Sequence, residues 1–220
     1  MSAIAGPMRS SCEQELSPFA AILGVLTDTC PFVRAACVFD SEGETVDYIG
    51  EGDPDELRIT AATWQLALVG LQGVDGLRRI HVRTPREGVV LVALPDGYGL
   101  LVTTRPMAAT ALSARLLSAV VGEVLDEAGL RFHDDTLSDV RPKAWSRLEV
   151  ACGDDGRPVR ARSIGTTRAP GAWHPLEVLG TIVGMPRRER GYRVRLDGSV
   201  EKTIVCERAR TWFVDGVLDD

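Results

Sequence analysis

Residues 33–50 read VRAACVFDSEGETVDYIG, an apolar run followed by a polar turn and a shorter, alternating run. This pattern predicts a β-hairpin with strands at 33–40 and 44–49 and its turn at 41–43. The segment that follows, PDELRITAATWQLALVGL at 54–71, carries no charge after Arg58. Asp53 suits the N-cap of a helix and Pro54 its first position, so we predict that a largely uncharged helix begins here.

This predicted helix is apolar on two sides. One stripe recurs at helical spacing and consists of Leu57, Ala61, Trp64, Leu68 and Leu71. A second stripe consists of Ile59, Ala62, Leu66 and Val69. A helix that covers one side of a sheet needs only one apolar stripe, and an exposed apolar patch usually marks an interaction site. The other stripe therefore predicts a contact with a second copy of the chain, with the C-terminal part of the same chain, or with a different protein. We favour the second copy.

Further elements extend in both directions from the hairpin and this helix. The spacing of apolar residues predicts a short helix over 16–27 before the hairpin. After the helix, residues 77–84, 88–94 and 98–104 alternate as strands do, and the turns between them are too short for anything but antiparallel neighbours. A long amphipathic helix over 108–128 ends at Gly129.

The chain divides into four segments in this interpretation. Residues 1–14 are predicted to be a flexible N-terminus, and residues 15–130 form one domain with the order α-β-β-α-β-β-β-α. The polar segment 131–143 is predicted to be a linker. Residues 144–220 contain short, evenly spaced apolar runs and turn signals, which predict a small all-β module, either a curled sheet or a barrel. The fold class is therefore α+β with an all-β C-terminal module.

Charge supports a division into two units and gives no general attraction for nucleic acid or membrane. The net charge is −6, but residues 1–140 hold 10 basic and 20 acidic residues, whereas residues 141–220 hold 15 and 11. The five cysteines have no metal-binding spacing. No apolar run is long enough to span a membrane and no secretory peptide is visible, so we expect a cytoplasmic protein.

Motifs for catalysis are missing from the sequence. There is no phosphate-binding GxxxxGK[ST] motif, no dinucleotide-binding GxGxxG after a strand and no GxSxG elbow. The three histidines, His81, His133 and His174, lie in separate segments. We therefore expect no catalytic residue, no cofactor and no metal site.

An arginine-rich stretch in the C-terminal module is the one candidate for binding an anion. It contains Arg187, Arg188, Arg190, Tyr192, Arg193 and Arg195. Arginine beside aromatic residues on a small β module is typical of single-stranded nucleic-acid binding. A solvated β surface would show the same pattern, and so would a surface for an acidic protein partner or for the acidic first domain. The sequence leaves these alternatives open.

Residues 15–130 resemble the Roadblock/LC7 family in the order and spacing of several features. These are VFDSEGETVDYIG, the helix with Leu57 and Ala61-Ala62, the stretch GVVLVALPDGYGLLVTT at 88–104, and the long closing helix. The resemblance implies a five-stranded antiparallel sheet with one helix on one face and two on the other. It also implies dimers, with this chain or with another roadblock protein, through the second helix and the third strand.

The resemblance further implies a partner and an interface. The partner is a Ras-like small GTPase or a scaffold that serves one, and some bacterial members stimulate such a GTPase. The implied interface consists of Leu57, Ala61, Trp64, Leu68, Leu71, Ile80 and Val82. We therefore expect a non-catalytic dimeric scaffold or regulator of a bacterial Ras-like GTPase. The alternative is a dimeric adaptor whose C-terminal module binds nucleic acid or an acidic protein.

Overall fold

A computed structural model describes most of the chain. The described residues are 17–51, 53–71, 78–106, 108, 112–131, 145–165, 169–183, 185–207, 210–216 and 218. The predicted flexible N-terminus lies outside these residues, and so does the predicted linker apart from Arg131.

The first part of the chain has the predicted order of elements. Its helices and strands are α1 (Pro18–Thr29), β1 (Val33–Phe39), β2 (Thr45–Gly50), α2 (Pro54–Gly70), β3 (Arg79–Arg83), β4 (Gly88–Ala93), β5 (Gly99–Thr104) and α3 (Ala114–Ala128). Helix α2 begins as expected, because the Asp53 carboxylate accepts a hydrogen bond from the Asp55 amide at 3.0 Å. Helix α3 begins later than the predicted position 108. Its N-cap is Ser113, whose hydroxyl accepts a hydrogen bond from the Leu116 amide at 3.2 Å.

The five strands form one antiparallel sheet in the order β2-β1-β5-β4-β3. Helices α1 and α3 cover one face, where Leu23 and Val120 pack in the same core as Val102. Helix α2 covers the other face, where Leu57 and Ala61 pack with other buried side chains. The structure thus confirms the antiparallel sheet with one helix on one face and two on the other.

Burial of the strands follows their places in the sheet. The inner strands β4 and β5 are buried on both faces, which explains their unbroken apolar runs. The edge strands β2 and β3 alternate between exposed and half-buried residues. Strand β5 begins at Gly99, where an added Cβ would lie 2.1 Å from the Phe39 ring. A side chain at Gly99 would therefore displace Phe39 from the core.

The second part of the chain is a closed six-stranded barrel, so the predicted all-β module is confirmed. Its strands are β6 (Trp145–Cys152), β7 (Pro158–Ser163), β8 (His174–Ile182), β9 (Arg190–Leu196), β10 (Val200–Cys206) and β11 (Trp212–Asp215). They close in the order β10-β11-β6-β7-β8-β9. Apolar side chains fill the interior, among them Tyr192 and Trp212, whose ring centroids are 6.0 Å apart.

The barrel packs against α3. Phe213 of β11 is fully buried in the core that α1 and α3 share, and Trp145 of β6 packs against the same core. At the edge of this contact the Arg115 guanidinium lies 2.8 Å from the Glu189 carboxylate and 2.7 Å from that of Glu207. The barrel therefore covers the α1–α3 side of the first domain, and α2 lies on the opposite face of the sheet.

Candidate functional site

The outward side of α2 is an exposed apolar surface. Its residues are Ile59, Ala62, Leu66 and Val69, which we call the α2 stripe. Ile59 is 69% exposed, Leu66 74% and Val69 50%, and Ala62 is also exposed. Roughly 200 Å² of such surface would stabilise a complex by about 5 kcal/mol if it were buried. This patch is the largest group of exposed apolar side chains on a single helix of the described chain.

The other stripe of α2 faces the sheet. Leu57 is 9% exposed and Ala61 is fully buried, while Trp64 and Leu68 are half-buried against the same cluster. Leu71, just after the helix, is 37% exposed. Leu57 and Ala61, which the resemblance places in the interface, are therefore part of the core, and their contribution to an interface stays a prediction. Both stripes have helical spacing, so the spacing alone does not tell which of them the sheet buries.

Strand β3 is an edge strand of the sheet. Ile80 and Val82 are half-buried and pack in the same cluster as Trp64 and Leu68. Among the described strands, β3 pairs only with β4. Its other edge is therefore open to pairing with a further strand. The structure thus brings together four of the predicted interface residues, Trp64, Leu68, Ile80 and Val82, beside an open strand edge.

The arginine-rich stretch of the barrel does not form a continuous basic and aromatic face. Tyr192 is 7% exposed and packs inside the barrel, so its ring is unavailable for stacking on a base. Arg193 pairs with Glu201 at 3.1 Å, and Arg195 pairs with Glu177 at 2.9 Å and with Glu201 at 3.2 Å.

Three further arginines of that stretch remain exposed. Arg187 and Arg188 lie in the turn before β9, and Arg190 begins that strand. None of the three makes an ion pair with another described residue. Contact of these three with a polyanion or an acidic partner stays a prediction.

Gln65 is a residue of this site that the sequence analysis missed. It lies in the middle of α2 on the sheet-facing side and is only 5% exposed. Its amide nitrogen donates to the backbone carbonyls of Ser41 at 2.8 Å and Gly97 at 3.2 Å. The available signal was its position four residues after Ala61 within the apolar stripe, where a polar side chain needs a buried partner.

Neither metal chemistry nor a membrane span is indicated in the described part of the chain. No three histidine, cysteine, aspartate or glutamate residues there are grouped so that they would hold a metal ion. None of the described helices combines the length and the apolar character needed to cross a membrane.

Comparison with solved structures gives matches to Roadblock/LC7 and MglB structures. The Roadblock/LC7 domain from Streptomyces avermitilis is 19% identical, and the match covers 50% of this chain and 97% of that one with a TM-score of 0.42. About half of this chain is similar to solved Roadblock/LC7 structures. The remainder is the six-stranded barrel.

Two further matches are MglB proteins. MglB of Myxococcus xanthus is 16% identical over 56% of this chain and 97% of its own, with a TM-score of 0.41. The gliding protein MglB of Thermus thermophilus is 18% identical over 50% and 93%, with a TM-score of 0.38. No family model and no curated protein matches the sequence.

Proposed function

We propose that this chain is a non-catalytic scaffold of the cytoplasm that self-associates through α2 and β3 and regulates a Ras-like small GTPase. Self-association covers the α2 stripe and pairs the open edge of β3. The resulting dimer presents a surface made of two α2 helices to the GTPase. No cofactor takes part in this function.

The observation that carries the proposal is the position of the barrel. The barrel packs on α3 through Phe213 and Trp145, so it occupies the face of the first domain opposite to α2. The sequence is compatible with three contacts for the α2 stripe: a second copy, the C-terminal part of the same chain, or a different protein. The described residues of the C-terminal part lie on the other face and do not cover the stripe. A second copy or another protein remains to cover the exposed Leu66 and Val69.

Self-association is favoured over a permanent foreign partner by the composition of the surface. Trp64 and Leu68 of α2 pack in the same cluster as Ile80 and Val82 of β3, whose outer edge pairs with no other described strand. A twofold axis beside that edge would let the backbones of the two copies pair with each other. Like-charge repulsion along α2 is small because the helix carries no charge after Arg58. On β3, Arg79 and Arg83 are exposed and would repel their copies where the two edges pair.

The GTPase part of the proposal rests on the resemblance of residues 15–130 to the Roadblock/LC7 family. A regulator of a nucleotide switch has to distinguish its two conformations, because a ligand shifts an equilibrium only by its differential affinity for the two states. We therefore expect tighter binding to the GTP-bound form than to the GDP-bound form.

Binding to a purified Ras-like GTPase of the same organism, loaded with a non-hydrolysable GTP analogue or with GDP, tests this function. Calorimetry with the unaltered chain is expected to give tighter binding to the analogue-loaded form. Val69→Glu should abolish that binding, because it places a carboxylate in the α2 stripe. Val200→Glu is the matched control, since Val69 and Val200 are 50% and 49% exposed and Val200 lies on the barrel. Equal affinity for the two nucleotide forms would contradict a regulatory role.

A further inference from the structure

Helix α2 is attached to the sheet by a polar contact in the middle of its buried face. The Gln65 amide nitrogen donates to the carbonyl oxygens of Ser41 and Gly97. Ser41 belongs to the turn between β1 and β2, and Gly97 to the turn between β4 and β5. A single side chain therefore joins the helix to two separate hairpins at the same end of the sheet.

The orientation of the Gln65 amide follows from its partners. Both are carbonyl oxygens, which only accept hydrogen bonds, so the nitrogen must point towards them. The Gln65 carbonyl oxygen is buried and has no hydrogen-bond partner within the described residues. A buried carbonyl without a partner costs about 1–3 kcal/mol, which offsets part of what the two hydrogen bonds of the amide nitrogen contribute.

Close packing at the same place makes the position of α2 specific. Gly43 has a φ of +85°, and a Cβ there would lie 2.9 Å from the Ala62 Cα of the helix. Gly97 has a φ of +80°, and a Cβ there would lie 2.8 Å from the Ser41 Cβ. The two turns thus contact each other, and one of them contacts the helix backbone, with no room for a side chain between them.

We propose that Gln65 is a positioning residue that sets where the α2 stripe lies on the sheet, and that the affinity of the α2 interface depends on it. Apolar contacts are non-directional, whereas two directional hydrogen bonds further restrict the height and rotation of the helix on the sheet. The link to affinity rests on the proposed function. The link to the position of α2 does not.

Gln65→Glu converts this contact into one that depends on pH. An ionised carboxylate at this position would face two carbonyl oxygens and would lack both N–H donors of the amide, whereas the protonated acid has one O–H donor. The charged groups of the two turns are Asp40, Glu42, Glu44 and Asp96, all of them acidic, and α2 has no charge after Arg58. Burial and these neighbours both disfavour ionisation of the introduced carboxyl and raise its pKa. The variant is therefore most like the unaltered chain at low pH and least like it at high pH.

Two measurements on the full chain test the inference. Sedimentation equilibrium gives the dissociation constant of the dimer, and hydrogen exchange read on the peptide 54–71 reports how firmly α2 is held. Between about pH 5 and about pH 8, the Gln65→Glu dimer is expected to weaken at least about tenfold more than the dimer of the unaltered chain. Over the same pH range, the rate of hydrogen exchange of peptide 54–71 in Gln65→Glu, divided by the rate in the unaltered chain at the same pH, should rise. Val200→Glu, which adds the same charge on the barrel, should follow the unaltered chain.

Gln65→Met keeps the volume and removes the hydrogen bonds, so it serves if Gln65→Glu fails to fold. We expect faster α2 exchange and a weaker dimer at every pH. Unchanged α2 exchange in the folded Gln65 variants would overturn the inference. If the unaltered chain is a monomer, or if Val69→Glu leaves its molar mass unchanged, the proposed function fails instead. The exchange measurement still decides the role of Gln65 in that case.

Discussion

Arg115 is the residue whose contacts join the two parts of the chain most directly. Its guanidinium pairs with Glu189 and Glu207, which are 21% and 14% exposed, and lies 4.9 Å from the centroid of the Trp145 ring. Burial lowers the Arg115 pKa, but the hydrogen bonds to the two glutamates outweigh burial and raise it. The guanidinium is thus a charged group held between two charged partners at the junction.

Replacement of Arg115 by alanine is expected to lower the free energy of unfolding by about 1–3 kcal/mol, because two half-buried carboxylates lose a charged hydrogen-bond partner. Urea unfolding followed by circular dichroism measures the change. Arg58→Ala is the control, since Arg58 and its partner Asp55 are 61% and 77% exposed. The control should change stability by less than about 0.5 kcal/mol, and an equal loss in both variants would contradict this role for Arg115.

The buried thiols give a second prediction at this scale. Burial raises the pKa of Cys37 to about 12, and burial together with the negative charge of Glu207 raises that of Cys30 to about 11. Both thiols therefore stay protonated in the folded protein at pH 8, and only the thiolate is alkylated. Iodoacetamide at that pH, read by peptide mapping, should leave Cys30 and Cys37 unmodified until the protein is unfolded. Exposed Cys152 serves as the positive control, and labelling of Cys37 at the rate of Cys152 would contradict the assigned burial.

Individual residues were the least predictable level of this structure. The family resemblance implied an interface that includes Leu57 and Ala61, and the structure shows that both are buried against the sheet. The sheet also buries Gln65, whose partners, Ser41 and Gly97, are distant in sequence. Periodicity reports that a helix has an apolar side, but it carries no information on contacts across 24 or 32 positions.

The strands and helices themselves followed from the sequence more closely. The hairpins formed where turn residues separate apolar runs, and α2 began at the predicted cap. The main difference is the start of α3, where apolar spacing continued upstream of the Ser113 cap. The apolar periodicity and the Ser113 cap indicate different starting residues for α3. The helix begins after Ser113, where the serine hydroxyl accepts a hydrogen bond from the Leu116 amide.

Two glycines, one in a strand and one in a helix, give a paired test of the elements. Gly99→Ala in β5 is expected to destabilise the fold by about 1–3 kcal/mol, because the added Cβ overlaps the Phe39 ring. Gly122→Ala in α3 has no atom within 4 Å of the added Cβ, so it should stabilise the helix by about 0.5–1 kcal/mol. Thermal unfolding of both variants measures the two changes. A neutral Gly99→Ala would show that β5 approaches Phe39 less closely than described.

At the scale of the whole molecule, the most important feature is the position of the barrel on the first domain. Composition and charge predicted two units, but nothing in the sequence indicated which face of the first domain the second would cover. Phe213 alternates with its neighbours as any strand residue does, and only the tertiary structure shows that it points out of the barrel into the core shared by α1 and α3. That placement leaves the α2 stripe uncovered by the described part of the barrel.

The molar mass of the full chain, measured by light scattering over a range of concentrations, tests the central claim most directly. The unaltered chain and the Val200→Glu control should have twice the mass of one chain, 23.8 kDa, whereas Val69→Glu should have the mass of a single chain. The same mass for all three proteins, monomeric or dimeric, would contradict the claim that the α2 stripe is the interface between two copies.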